Sequence, residues 1–132
     1  MKILDDRFGD RQDFGITYFT IDPDNDKPHV LKKYAEAYGV KSQNWHFLTD
    51  KKSAVYELAN SGFNIFVGIN TSLAGGFEHQ GYFALIDKNG YIRSRVDRFD
   101  NPIVYYSGLV RQDQDVQGVD MLLEDIERLL KE

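Results

Sequence analysis

The chain has 132 residues, 42% of them hydrophobic and 14% aromatic, so it can bury a real core and global disorder is excluded. Its formal charge of −5 and pI near 5.1 argue against nucleic-acid binding, which relies on clustered Lys and Arg to neutralise phosphates. There is no cysteine, so disulfides, thiolate nucleophiles and zinc–thiolate sites are absent from these residues, and no apolar run of about 18 residues marks a membrane span.

The first residues, "MKILDDRFGDRQD", read as the end of a helix and a polar loop punctuated by Gly9. No secretory signal is visible, because Met1-Lys2-Ile3-Leu4 leads directly into Asp5-Asp6-Arg7. Residues 14–21, "FGITYFTI", are β-branched and aromatic and predict a strand. In the turn "DPDNDKP", Asp26 is the expected N-cap of a helix, with Pro28 in its first turn. That helix places Val30, Leu31, Tyr34, Ala35 and Tyr38 on one stripe and stops at Gly39.

"NWHFLT" is a short extended piece, and "DKKSAVYELANSG" a second helix with Val55, Leu58 and Ala59 inward. "FNIFVGI" predicts a short strand before a polar, glycine-rich loop that runs to His79. "GYFALID" and "YIRSRV" form a hairpin in which Gly90 supplies the positive φ of the turn. Residues 97–118 read as a long loop with one extended segment. "VDMLLEDIERLLKE" closes the chain with a strongly amphipathic helix. Without a repeat or dividing linker, residues 1–132 are expected to form one α/β domain.

Few side chains suggest chemistry on their own. Asp22, Asp24 and Asp26 alternate like the front of a calcium loop, but its sixth and twelfth positions are Lys27 and Lys33 instead of Gly and Glu. The glycines of "GINTSLAGG" lack the Gly-Lys-Ser/Thr of a phosphate cradle, and Ser107-Gly108 lacks the surroundings of a nucleophile elbow. His29 and His46 read as solvated or packing residues. His79 is equivocal: a lone histidine is more often structural, and stable metal sites use three or four ligands.

Four stretches taken together resemble the Sco/SenC family of thioredoxin-fold copper proteins. "YFTIDPDNDKPHVLKKYAEAYG" is similar to the family's strand, Asp-Pro-x-x-Asp turn and helix, and "NWHFLTDKKSAVYELANSGF" to the segment that follows. "HQGYFALIDKNGYIR" resembles its histidine-led strand and hairpin, and "MLLEDIERLL" its last helix. The resemblance implies a thioredoxin-like α/β/α sandwich, here N-terminally truncated and missing its first strand and part of its first helix. It further implies copper, bound through a Cys-x-x-x-Cys motif and a histidine that falls on His79. The loop "GINTSLAGGFEH" would let that histidine move for capture and release.

The cysteines are absent, so tight copper binding and dithiol exchange are not expected of these residues. By resemblance the protein is a metallochaperone or electron-transport protein more than an enzyme. Its implied partner is the copper-site subunit of cytochrome c oxidase, and its implied location extracytoplasmic and membrane-anchored. Lacking the central first strand, the "FGITYFTI" and "GYFALID" strands are expected to expose unpaired edges, close on each other, or self-associate. The alternative is a cysteine-free thioredoxin-like binding or scaffold module using Phe99, Tyr105 and Tyr106 as its surface. A peroxidase reading fails for want of a nucleophile.

Overall fold

The computed structural model describes residues 1–73, 76–79, 81–110, 112 and 118–132, and of residues 77–79 the backbone alone. These fall into two compact units, Met1–His79 and Gln80–Glu132.

The first unit opens with helix α1 (Lys2–Phe8), which buries Leu4 and Phe8. It also buries Asp5, whose carboxylate accepts hydrogen bonds from the backbone N–H groups of Lys41 and Ser42 and from Lys2 Nζ. Burial pushes that carboxyl's pKa up, but the three donors and the Lys2 charge outweigh it and the net shift is downward. Strands β1 (Ile16–Phe19) and β2 (Trp45–Leu48) pair in parallel, with helix α2 (Pro28–Ala37) as their crossover.

Pro28 begins α2 as expected, but Asp26 is not its cap. The N-cap is Lys27, whose side chain makes no capping bond and donates instead to the Pro23 carbonyl at 2.9 Å, and Asp26 accepts a 2.5 Å hydrogen bond from the Thr20 hydroxyl. Thr20 is completely buried, so its hydroxyl needs an acceptor; the same oxygen accepts the Asp22 N–H at 3.0 Å. The side chain that would have capped the helix therefore braces the turn before it. Gly39, at φ +64°, ends the helix in the left-handed region.

Helix α3 (Lys52–Glu57) widens into a π-turn over Leu58–Gly62, closed by the Phe63 N–H on the Leu58 carbonyl at 2.9 Å. The strand predicted at 63–69 is confined to β3 (Val67–Ile69). It pairs antiparallel with β4 (Phe77–His79), so the last three residues of the predicted loop are a strand.

In the second unit, β5 (Tyr82–Ile86) lies between β6 (Ile92–Arg93) and β7 (Tyr105–Ser107), both antiparallel to it. The β5–β6 turn follows the prediction: Gly90 sits at φ +85°, and Asp87 Oδ1 accepts the Asn89 and Tyr91 N–H groups. Helix α4 (Gly118–Leu129) buries Leu122 and Ile126. Gly118 is required where α4 meets β7, since a Cβ there would stand 2.3 Å from the Ser107 carbonyl oxygen. The predicted extended segment in 97–118 is β7, while residues 111 and 113–117 lie outside the described residues.

The expectation of two open edges is corrected. Strand β5 is paired on both sides, through Tyr82–Ala84 to β7 and Leu85–Ile86 to β6. Among the described residues β1 pairs with β2 only. In that parallel ladder the N–H groups of Ile16 and Thr20 point to β2, which leaves those of Thr17 and Phe19 on the outer edge.

Candidate metal centre

The three histidines lie on three different elements. His29 is in the first turn of α2 and His46 in β2, both exposed, whereas His79 is the last residue of β4. Among the described residues no three His, Asp or Glu side chains converge as metal ligands. The acidic turn is no exception, because each carboxylate has its own partner. Asp22 accepts from Asn25 Nδ2 at 2.9 Å, Asp24 pairs with Lys52 at 2.9 Å, and Asp26 holds Thr20.

Strand β4, which ends at His79, is hydrogen-bonded to β3, so the loop expected to run to His79 is strand over its last three residues, while residues 74 and 75 of it lie outside the described residues. The Asn70 N–H donates to the Gly76 carbonyl at 2.9 Å and the Leu73 N–H to the Asn70 carbonyl at 3.1 Å. Asn70 Oδ1 also accepts the Ser72 N–H at 3.1 Å, an Asx-turn that folds the chain back on itself. In the resulting register Val67 stands opposite His79, Gly68 opposite Glu78 and Ile69 opposite Phe77.

The other edge of β3 is held by Asn60, from the π-turn. Its Oδ1 accepts the Val67 N–H at 3.1 Å, and its Nδ2 donates to the Val67 carbonyl at 3.0 Å and to the Tyr56 carbonyl at 3.0 Å. Sequence reasoning passed over Asn60 as one more polar residue at a helix end. Its only signal was an amide one turn after Tyr56, ahead of an apolar run.

The second unit holds a different polar cluster. Tyr106, completely buried, donates its hydroxyl to Asp125 Oδ2 at 2.7 Å. Arg95 adds two bonds to the same carboxylate, Nε at 2.8 Å and Nη2 at 3.0 Å, and Nη2 also reaches Glu124 and the Met121 carbonyl. Burial raises the Asp125 pKa, but the Arg95 and Tyr106 hydrogen bonds and the charges of Arg95 and Arg128 outweigh it, and the net shift is downward. Burial and the bond to Asp125 push the Tyr106 phenol upward. A cavity of about 130 Å³ adjoins the cluster, lined in part by Arg93, Arg128 and Glu132. Donors and acceptors are matched here, so the arrangement is a brace between β6–β7 and α4.

This placement removes Tyr106 from the binding surface proposed for a scaffold module. Tyr105 is half-buried and stacks on Tyr82 at 6.1 Å, so of the three aromatics only Phe99, 67% exposed, faces solvent.

A model of the family SCO1/SenC matches residues 1–112, which include both strands of the hairpin and His79. The chain belongs to the SCO1/SenC family. A SCO1 protein homolog of Bacillus subtilis (strain 168) is 33% identical over 90 residues, covering 67% of this chain and 46% of that protein. The crystal structure of a SCO1/SenC family lipoprotein from Bacillus anthracis str. Ames superposes with a TM-score of 0.68 at 24% identity, over 98% of this chain and 66% of that one. The chain thus spans less than half of the curated relative and about two-thirds of the solved one. Its mixture of helix and sheet is the thioredoxin-like fold of the SCO1/SenC structure.

These residues do not by themselves make a Cu(I) donor set. Two thiolates with an imidazole suit Cu(I), and the 132 residues supply imidazole but no thiolate.

Proposed function

We propose that this chain is the histidine-bearing part of a Sco-type copper protein, with His79 as one ligand and the thiolates supplied from outside these 132 residues. The observation that supports it is the place of His79: inside the family match, at the end of a hydrogen-bonded hairpin strand instead of in an open loop. A strand end fixes the backbone of a ligand while leaving the metal approachable. One imidazole cannot retain copper, so the chain alone is inactive as a chaperone.

In this reading the cargo is delivered to the copper-site subunit of cytochrome c oxidase, or the thiols of that site are reduced. The protein works outside the cytoplasmic membrane and is anchored to it, as the lipoprotein relative suggests. The outer edge of β1 supports self-association of the chain as given.

Competition titration with a coloured Cu(I) chelator tests the ligand role. Joining a Cys-x-x-x-Cys segment ahead of Met1 is expected to create tight Cu(I) binding, and His79→Ala in that protein to weaken it by at least about tenfold, the least that loss of even an outer-shell partner costs. An affinity indifferent to His79→Ala removes His79 from the site.

A further inference from the structure

Strands β6 and β7 both pair with β5, and the chain between them, residues 94–104, leaves the sheet as a hairpin of its own. The Ile103 N–H donates to the Arg95 carbonyl at 3.1 Å, Val96 bridges Pro102, and the Asp97 N–H donates to the Asn101 carbonyl at 2.8 Å. Asp97 Oδ1 closes the tip by accepting the Phe99 and Asn101 N–H groups. Residues 96–102 are all exposed, so this arm buries little apolar surface, and what fixes it lies at its base.

Two features of the base oppose each other. Val104 sits at φ +63°, the left-handed region that a β-branched side chain rarely enters. With the Tyr105 N–H on the Ile103 carbonyl at 2.7 Å, it is the centre of a γ-turn of the strained, positive-φ kind. Val104 is 36% exposed, so burial does little to offset that strain. Against the strain stands Asp125 on α4. Arg95, where the arm leaves the sheet, donates Nε and Nη2 to its carboxylate, and Tyr106, where the arm returns, donates its hydroxyl. Both roots are thus held by one carboxylate, and both line the cavity of about 130 Å³ beside it.

We propose that residues 94–104 form a strap that opens as a unit about Val104, with Asp125 as its catch. Opening releases Arg95 from the carboxylate, lets Val104 return to negative φ and widens the cavity lined by Ser94, Arg95 and Tyr106. A segment with few apolar contacts opens before the sheet that carries it, and strain stored in the closed form lowers that threshold further.

Amide exchange of the full 132-residue chain, followed by NMR, tests this. The Asp87 N–H, bonded to the Tyr91 carbonyl in the β5–β6 turn, is the internal reference. The Asp97 and Ile103 amides are expected to exchange faster than Asp87 in the parent protein. Val104→Gly relieves the closed form and is expected to slow both by about tenfold, with Asp87 unchanged. Val104→Asn tolerates the left-handed region while keeping a Cβ, and is expected to slow them by a smaller factor. Asp125→Asn weakens the catch and is expected to speed Asp97 and Ile103 by about tenfold relative to Asp87. Should Asp125→Asn fail to fold, the two Val104 variants carry the test. Arm amides that exchange at the Asp87 rate in the parent and in every variant would mean that the arm opens only with the sheet, and would overturn the proposal. Faster arm exchange in both Val104 variants would mean that Val104 holds the arm shut, and would overturn it equally.

Discussion

Asp125 sits on the stripe of α4 that otherwise carries Leu122 and Ile126, a position at which an unpaired carboxylate would not be tolerated. Tyr106 and Arg95 make it tolerable, and the arrangement ties acid stability to one residue. The folded-state pKa of Asp125 lies below its unfolded value, so its contribution is fully present above about pH 5 and is lost as pH falls through the depressed folded value. Asp125→Asn is expected to cost about 1–3 kcal/mol at neutral pH, because it removes the more buried of the two carboxylates on Arg95 and leaves only Glu124 to balance its charge. The difference between variant and parent should shrink as both are acidified towards pH 3. Denaturant unfolding across that range checks this, and Asp5, shifted in the same direction, is common to both proteins and cancels. A difference independent of pH would mean that the carboxylate's charge is not what holds Arg95 and Tyr106.

Among the elements, those with a strong local signal were legible in the sequence. The apolar spacing of α4, the Pro28 start of α2 and the Gly90 turn all rest on periodicity or on one residue's backbone preference. Strands β4 and β7 have three residues each, too few to establish a period, and are made by partners up to 25 positions away. Asp26 misled for a related reason, since the competing acceptor need of Thr20 becomes visible only once both are packed. Among the described residues strand β1 is paired on one side only, and it exposes Phe19 at 40%, an arrangement that invites pairing with another chain. Sedimentation of the chain is expected to depend on concentration, and Phe19→Lys to suppress that dependence by placing a charge at the edge. A monomer at all concentrations, with every β1 amide protected from exchange, would contradict it.

For the whole molecule, the family was legible because its signature is distributed, running from the Asp-Pro-x-x-Asp turn through the hairpin that begins at His79. The site was legible only in part. A metal centre is assembled from residues distant in sequence, and of the copper site proposed here these residues offer an imidazole and no thiolate. Asn60 shows the same limit, since its importance lies wholly in which strand it clamps. The central claim is that His79 supplies the nitrogen of a copper site completed by thiolates from elsewhere. X-ray absorption at the copper edge tests it most directly, on the Cu(I)-loaded chain joined to a Cys-x-x-x-Cys segment. We predict sulfur scatterers together with one imidazole nitrogen, and loss of that nitrogen in His79→Ala with the sulfurs retained. A nitrogen contribution that persists in His79→Ala, or its absence from the parent protein, would contradict the claim.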